Sequence, residues 1–371
     1  MKIMHLCLSL GKGGAEKLLV DSLPFYVNQG HEVRIIQLSS ILEEPTYIES
    51  VENAGIKVIT LSNGGFRNLK LIQKLMQAIR SEKPDVLHVH LFPCLYFASI
   101  ASRLMKNFPV MVFTEHNNQN RRMTKGYLQP IENFMYARYN AIVAISGNVA
   151  AMLRNWLPSQ INKIRIIENG VNVEKFTAAE PYDVVYFSKH FNLQENNVKL
   201  FMASRFNYQK DQQTIIRALE LLPHHFHVFL AGDGPEMGKA QTLANELQRQ
   251  ERVHFLGFRT DIPKLMKSAD INILSSFFEG FSGVTLEALS SGKPFLGSDV
   301  PGINDIVPDK SFLFEKENPK QLAGKIMAIT TDKDLNQTMV SKGLNHIKQY
   351  DMQIMVDRHV NLYENLLRPK N

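Results

Sequence analysis

Short, near-continuous apolar runs alternate with helical patterns along this chain, and that alternation leaves few folds open to it. In the first half the runs are Lys2–Leu8, Val33–Leu38, Lys57–Leu61, Asp85–His90, Val110–Glu115 and Ala141–Ser146. A helical pattern runs from Ala15 to about Gln29, and an amphipathic one covers Leu69–Ser81. Strands that are apolar on both faces and separated by helices predict a parallel sheet covered on both sides. Ser146 follows a strand and precedes Val149–Leu153, the position of a helix N-cap. The pattern restarts at Val198–Ser204, continues through a helix over Asp211–Leu222, and adds strands at His227–Gly232, Val253–Gly257, Ile271–Leu274 and Pro294–Ser298. The expected architecture is α/β, with two Rossmann-like units in tandem.

The length of 371 residues exceeds what one hydrophobic core usually serves, so two units of about 170–190 residues are expected. We place the first at 1–176, a linker of mixed polarity at 177–197, and the second at 198–351. The final helix, Met352–Leu367, suits packing on either unit. Open parallel sheets bind ligands beyond the carboxyl ends of their strands, so two facing units imply a cleft with functional residues just after the strands.

Composition narrows the classes. No apolar run reaches the roughly 18–20 residues of a membrane span. The segment Ile3–Leu10 reads as a first strand rather than as a signal peptide, because no small-residue cleavage site follows it. Cys7 and Cys94 lie in apolar stretches without metal-ligand spacing, which predicts reduced thiols in a cytoplasmic protein. The formal charge of +6 and pI of about 9.1 suit a phosphate-bearing ligand or an anionic membrane. The basic residues are spread out and not interleaved with aromatics, so no nucleic-acid partner is expected.

Several groups follow predicted strands. Gly11-Lys12-Gly13-Gly14 opens the first helix. It reads either as an anion cradle, where glycines let amides approach a phosphate at a helix N-terminus, or as a plain strand-to-helix turn. It has neither the GxGxxG nor the Walker spacing. Arg205 and Lys210 flank the start of the second unit's first helix and read as a clamp on a diphosphate, or else as solvated surface cations. Glu279 and Glu287 bracket a loop that becomes a helix near Val284. The amides of Gly280, Phe281, Ser282 and Gly283 stand there before the helix, free for ligand oxygens. A carboxylate at Glu287 suits a vicinal diol such as ribose. His90 and His116 end two strands of the first unit, where an imidazole can donate to a sugar hydroxyl or phosphate, or serve structure alone. Asp332-Lys333-Asp334 reads as a solvated helix start rather than a metal site.

Taken in order, these residues resemble glycosyltransferase family 4, the retaining family with the GT-B fold. The resemblance covers nearly the whole chain. It rests on Gly13-Gly14-Ala15-Glu16, Glu168-Asn169-Gly170-Val171-Asn172, Ser204-Arg205 with Lys210, Ala231-Gly232-Asp233-Gly234-Pro235-Glu236, Ser268-Ala269-Asp270, and the E-x7-E element Glu279–Glu287 continuing through Ser291-Gly292-Lys293-Pro294. The resemblance implies that Glu279 and the Gly280–Gly283 amides hold donor-sugar hydroxyls and that Glu287 binds ribose. Arg205 and Lys210 bind the diphosphate, helped by Gly13 and Gly14, and the base lies against Gly257-Phe258-Arg259. His116 sits near sugar and acceptor. No metal or other cofactor is implied, because protein cations replace it, and the final helix crosses back onto the first unit. The donor implied is a nucleotide-diphosphate sugar, with UDP favoured as the commonest in the family. Pro301-Gly302-Ile303-Asn304-Asp305-Ile306 departs from the Gly-Gly that many relatives carry, as does Lys310-Ser311-Phe312 from a following Gly.

No carboxylate is identifiable as a covalent nucleophile. The mechanism expected is therefore retention, with the leaving diphosphate helping to deprotonate the incoming hydroxyl. Two rivals are a nucleotide-sugar 2-epimerase-like isomerase and a non-catalytic nucleotide-sugar-binding protein. The E-x7-E element with Arg205 and Lys210 speaks against the first, and the full donor-site set against the second. A nicotinamide oxidoreductase fits less well, since no acidic residue ends Val33–Leu38. For the acceptor we expect a glycan or lipid-linked glycan of surface polysaccharide or glycoconjugate synthesis. Arg67, Lys70, Lys74, Arg80, Arg103, Lys106, Arg121, Arg122 and Lys125 suit peripheral contact with an anionic membrane, or form a solvated face.

Overall fold

The computed structural model describes residues 1–11, 13–40, 46–117 and 122–368. It divides into two compact units, 1–170 with 352–371 and 171–351. In the first unit, β1 (Lys2–Cys7), β2 (Glu32–Gln37), β3 (Lys57–Thr60), β4 (Val86–His90), β5 (Val110–Glu115), β6 (Ala141–Ala144) and β7 (Ile164–Ile166) form a sheet in the order β3-β2-β1-β4-β5-β6-β7. In the second, β8 (Val198–Ala203), β9 (Phe226–Ala231), β10 (Val253–Gly257), β11 (Ile271–Leu274), β12 (Phe295–Ser298) and β13 (Leu313–Phe314) are ordered β10-β9-β8-β11-β12-β13. The pairings are parallel throughout. All strands of a sheet therefore present their carboxyl ends at one edge. The strand order reverses direction between β1 and β4, and again between β8 and β11, which are the switch points where such sheets bind ligands.

Burial explains the sequence pattern. β4 and β6 are buried at every position, as strands covered on both faces must be. Ser146 caps its helix, its side chain accepting from the Val149 amide at 3.2 Å. Cys7 and Cys94 are free thiols in the core, and burial pushes both up in pKa. Asp332 caps the helix Lys333–Ile347 by accepting from the amides of Asp334 and Leu335, so the DxD is a helix start.

The boundary differs from the expected one. The first unit ends at Gly170 rather than 176, and 177–197 is part of the second unit rather than a linker. That segment holds a helix, Val184–Phe191, whose Asp183 cap accepts from the Tyr186 amide at 2.8 Å and which stops at left-handed Asn192. Phe187 and Phe191, one turn apart, both pack edge-on against Phe229 of β9. A two-turn helix with an i,i+4 aromatic pair gives too short a periodic signal to separate from coil. The final helix Met352–Leu367 lies in the first unit's core, where Met352, Met355, Val356, Val360 and Tyr363 are buried and Tyr363 stacks on Tyr26.

Candidate functional site

Both sheets carry the expected residues at their carboxyl edges. In the second unit the segment after β8 and the segment after β11 pair with each other: Asp211 N donates to Ser275 O at 3.1 Å and Phe277 N to Gln209 O at 2.9 Å. This pairing brings Lys210 onto Glu279. Their side chains are 12% and 8% exposed and form an ion pair through Glu279 Oε1. Ser276 Oγ donates to the same oxygen at 2.7 Å, and Gln209 Nε2 donates to Oε2 at 3.2 Å and to Phe278 O at 2.9 Å. A carboxylate so surrounded is fixed in direction. Gln209, Ser276 and Gln212 were not singled out from the sequence, and nothing local in it marks them.

Arg205 is exposed and has no ion-pair partner among the described residues. Its backbone is fixed from two sides. Gln212 Nε2 donates to Ser204 Oγ at 3.0 Å and to Arg205 O at 3.2 Å. The loop after β9 closes the other side, with Phe206 N donating to Asp233 O at 2.9 Å. Gly232 (φ +142°) and Gly234 (φ +149°) lie so near this segment that a Cβ would stand 1.9 Å from Ser204 O and 2.2 Å from Phe206 O. That close approach is why the Gly-Asp-Gly run needs its glycines.

The loop before the helix Gly283–Ser290 needs one correction. The Ser282 amide is not free for a ligand, because it donates to Gly302 O at 2.9 Å, while the Ser282 side chain accepts from the Thr285 amide as the helix cap. Phe281 is likewise turned inward, buried edge-on against Tyr350. Among the described residues no acceptor stands opposite the amides of Gly280, Phe281 and Gly283. Glu287 is the fifth residue of the helix and half-buried. The turn after β10 holds Gly257 at φ +65°, a partly exposed Phe258, and Arg259, whose guanidinium grips Asp261 with both nitrogens, at 2.8 and 2.5 Å. Burial opposes the Asp261 charge, but Arg259 and Tyr182 outweigh it and hold the carboxyl below its ordinary value. Arg259 is thus committed within the protein.

In the first unit Gly13 precedes the helix Gly14–Asn28 as its cap, and Lys12 lies outside the described residues. A Cβ at residue 13 would stand 1.9 Å from the Glu16 carboxylate, which folds back over the turn. The helix start carries its own anion, so the turn is not the open cradle the glycines alone imply. Gly14 has open space beside it. His90 ends β4 and His116 follows β5. They join through Nδ1 of His90 and Nε2 of His116 at 3.3 Å, and His90 Nε2 meets Nδ1 of His5 at 3.0 Å. His88 is held between the Tyr363 and Thr114 hydroxyls, each at 2.6 Å. With His359 these rings border a cavity of about 20 Å³. Burial, reinforced by the nearby rings, pulls His5 down to about 3 and His116 to about 4 and draws His88 and His90 well below the ordinary value, and burial alone pulls His359 to about 4.

Beside His116, Glu115 is fully enclosed, and burial raises its pKa against the pull of Arg122. Arg122 pairs with Glu132 at 2.6 Å and Glu115 at 3.8 Å and stands over the Phe92 ring at 4.8 Å. It is therefore an internal strut rather than a surface cation. Arg103 lies 3.9 Å over the Phe134 ring, and Lys74 donates to Leu61 O at 2.7 Å. Arg67, Lys70, Arg80, Lys106 and Lys125 are exposed, and Arg121 lies outside the described residues.

Two family models match: Glycosyltransferase Family 4 over residues 12–175 and Glycosyl transferases group 1 over residues 187–346. Among curated proteins, the chain is 24% identical over 382 residues to the UDP-Gal:alpha-D-GlcNAc-diphosphoundecaprenol alpha-1,3-galactosyltransferase of Escherichia coli, covering 97% of this chain and 98% of that protein. It is 27% identical over 231 residues to the N,N'-diacetylbacillosaminyl-diphospho-undecaprenol alpha-1,3-N-acetylgalactosaminyltransferase of Campylobacter jejuni, covering 61% of this chain and 60% of that one. Among solved structures, Anabaena Alr3699/HepE in complex with UDP-glucose superposes with a TM-score of 0.84 at 22% identity, over 98% of this chain and all of that one, 100%. The shared fold is GT-B.

Proposed function

We propose that this chain, which belongs to glycosyltransferase family 4, transfers a hexose or N-acetylhexosamine from a UDP-sugar, with retention, to a lipid-linked or glycan acceptor. The family match carries glycosyltransferase activity itself. The observation that supports the finer reading is the pairing of the segments after β8 and β11. It sets a buried Lys210–Glu279 pair and an unpaired Arg205 at one sheet edge, on either side of the strand-order switch. The E. coli relative uses UDP-Gal and a diphosphoundecaprenol-linked sugar by name, and HepE was solved with UDP-glucose; both support the donor class, and the first the acceptor class.

In this reading Arg205 and Lys210 neutralise the diphosphate, most strongly as charge builds on the leaving group. Glu279, aimed by Lys210, Ser276 and Gln209, accepts from donor-sugar hydroxyls, and the amides of Gly280, Phe281 and Gly283 donate to them. Glu287 accepts from ribose hydroxyls, and the base lies along Gly257-Phe258-Arg259. Gly13 and Gly14 meet the diphosphate only with the Glu16 carboxylate turned away. His116 stands by the sugar and acceptor. The leaving diphosphate takes the proton of the incoming hydroxyl, and protein cations serve in place of a metal.

For the acceptor side, no helix among the described residues is long and apolar enough to cross a membrane. A peripheral site on the cytoplasmic membrane face fits the exposed Tyr127, Ile131 and Phe134 together with exposed Lys106 and Lys125. The experiment for the donor is a thermal-shift screen against UDP, GDP, ADP and their sugar conjugates without metal. A donor at about 100 times its Kd adds roughly 2.7 kcal/mol. A selective shift with one UDP-sugar is expected. The absence of a shift with every nucleotide would remove the donor-site roles of Arg205, Lys210, Glu279 and Glu287.

A further inference from the structure

We propose that His90 is a positioning residue that sets the tautomer of His116, within a line of three hydrogen-bonded imidazoles, His5, His90 and His116, whose protons all sit on Nδ1. His116 then offers an N–H, and not a lone pair, at its remaining nitrogen. The functional weight of this rests on the reading of His116 as a donor-side residue, whereas the tautomer itself follows from the geometry alone.

The line is built by sheet register. His5 of β1 is level with His88 of β4, and His90 lies two residues nearer the carboxyl edge on the same face. His90 is level with Thr114 of β5, and His116 again lies two residues further on. Each step across a strand climbs one pleat, so the rings run diagonally from the buried interior to the edge. The two links are 3.0 Å from His5 Nδ1 to His90 Nε2 and 3.3 Å from His90 Nδ1 to His116 Nε2.

A neutral imidazole has one donor and one acceptor nitrogen, so each link fixes the next. Burial keeps these rings neutral, as their depressed pKa values indicate. Two directions remain, and His5 decides between them. Its Nε2 is buried with no hydrogen-bond partner among the described residues. A buried N–H left unpaired is rarer and costlier than an unpaired acceptor. The His5 proton therefore sits on Nδ1 and is donated to His90 Nε2. His90 must then carry its own proton on Nδ1, donated to His116 Nε2. His116 is left with Nδ1–H, for which the described residues supply no acceptor. Such a donor suits a sugar hydroxyl oxygen or a phosphate oxygen, and it is the wrong form for a base at that atom.

A metal centre is the competing use of these rings, since nitrogens of His5, His88 and His90 lie within 4.8 Å of one another. Both nitrogens of His88 are taken by hydroxyls, and His5 and His90 are bonded to each other. A metal would have to break these bonds, whereas the imidazole line keeps all of them.

The test is long-range nitrogen–proton NMR on the full chain with isotope-labelled histidine at neutral pH. Each ring is assigned from the variant that lacks it. The expected pattern for His116, His90 and His5 is a protonated Nδ1 and a pyridine-type Nε2. A His116 proton on Nε2 would overturn the proposal. So would about one equivalent of zinc that survives chelation and shifts the His5 and His90 nitrogens. In His5→Phe the unpaired, buried His90 Nε2 stays a lone pair and His116 keeps its Nδ1 proton; in His90→Phe the donor to His116 Nε2 is lost, and His116 should become a mixture of tautomers. In that variant kcat should fall between about two-fold, for an even mixture, and about a hundred-fold, for full reversal, with donor KM unchanged. His90→Asn, whose amide N–H replaces the Nδ1 donor, should restore both. An unchanged His116 tautomer in folded His90→Phe would also overturn it, and if that variant does not fold the native spectrum decides alone. Failure of donor binding in the thermal-shift screen would remove the sugar-transfer reading and leave the tautomer result standing.

Discussion

Lys210 and Glu279 sit 69 residues apart in sequence, yet their side chains form an ion pair almost closed to solvent. Lys210→Ala leaves an enclosed carboxylate without its cation, which should lower stability by about 2–4 kcal/mol. The double variant Lys210→Met with Glu279→Gln removes both charges and should recover most of that loss without recovering sugar transfer. Urea denaturation of the three proteins, beside activity assays, separates the two effects. Equal stability of the native chain and Lys210→Ala would mean that solvent already screens the pair.

Arg205 offers the contrasting case. It is exposed and without an ion-pair partner among the described residues, so Arg205→Ala should change stability by no more than about 0.5 kcal/mol. If it acts on charge that develops in the transition state, kcat should fall about a hundred-fold or more while donor Kd changes little. Steady-state kinetics beside calorimetric UDP binding reads both, and unimpaired turnover would end the assignment.

Gly302 buttresses Glu279. At φ +81° its missing Cβ would stand 2.6 Å from Glu279 O, and its carbonyl takes the Ser282 amide. Gly302→Ala should cost about 1–3 kcal/mol through strain and should displace the Glu279 loop. A thermal melt and a donor-binding titration should therefore both suffer. Loss of stability with undiminished donor affinity would show that the loop does not depend on this contact.

Much of this arrangement was legible in the sequence, because a parallel sheet brings whatever follows its strands to one edge. Arg205, Lys210, Glu279 and His116 could be placed there from strand order alone. The strands β7 and β13 escaped notice because three and two residues carry no usable period. The support of Glu279 was also hidden: Gln209 and Gly302 meet it only through long-range pairing, and nothing in the sequence marks Ser276, three residues before it, as a donor. The same holds for His5: alternation puts His88 and His90 on one face, but only the β1–β4 register brings His5 beside them.

The histidine group makes the first unit sensitive to mild acid. His116 and His359 titrate at about 4 and His5 at about 3 in the folded chain, against about 6.5 unfolded. Between these values the unfolded chain binds protons that the folded one does not. The stabilisation is therefore whole above about pH 6.5 and declines as pH falls toward 4. Trp156 is the chain's one tryptophan and lies in this unit, so its fluorescence follows the unfolding. Denaturation at about pH 5 should give at least about 2 kcal/mol less stability than at pH 7.5, the effect of a single such ring. A flat profile would mean that the rings are not neutral in the fold.

Membrane contact should divide into an apolar and an electrostatic part. Ile131 and Phe134 lie three residues apart on the helix Gln129–Tyr136, 47% and 58% exposed, with Tyr127 72% exposed just before it. Arg103 covers one face of the Phe134 ring, which leaves an amphipathic surface of the kind that rests at a headgroup boundary. Flotation on vesicles of mixed neutral and anionic lipid should recover the native chain. Ile131→Ser with Phe134→Ser should weaken recovery at every salt concentration, because apolar burial is not screened. Lys106→Gln with Lys125→Gln should weaken it chiefly at low salt, where screening lengths are long and each cation is worth about 1 kcal/mol near an anionic surface. Native protein that stays with the soluble fraction even at low salt would remove the membrane from the acceptor reading and leave a soluble glycan in its place.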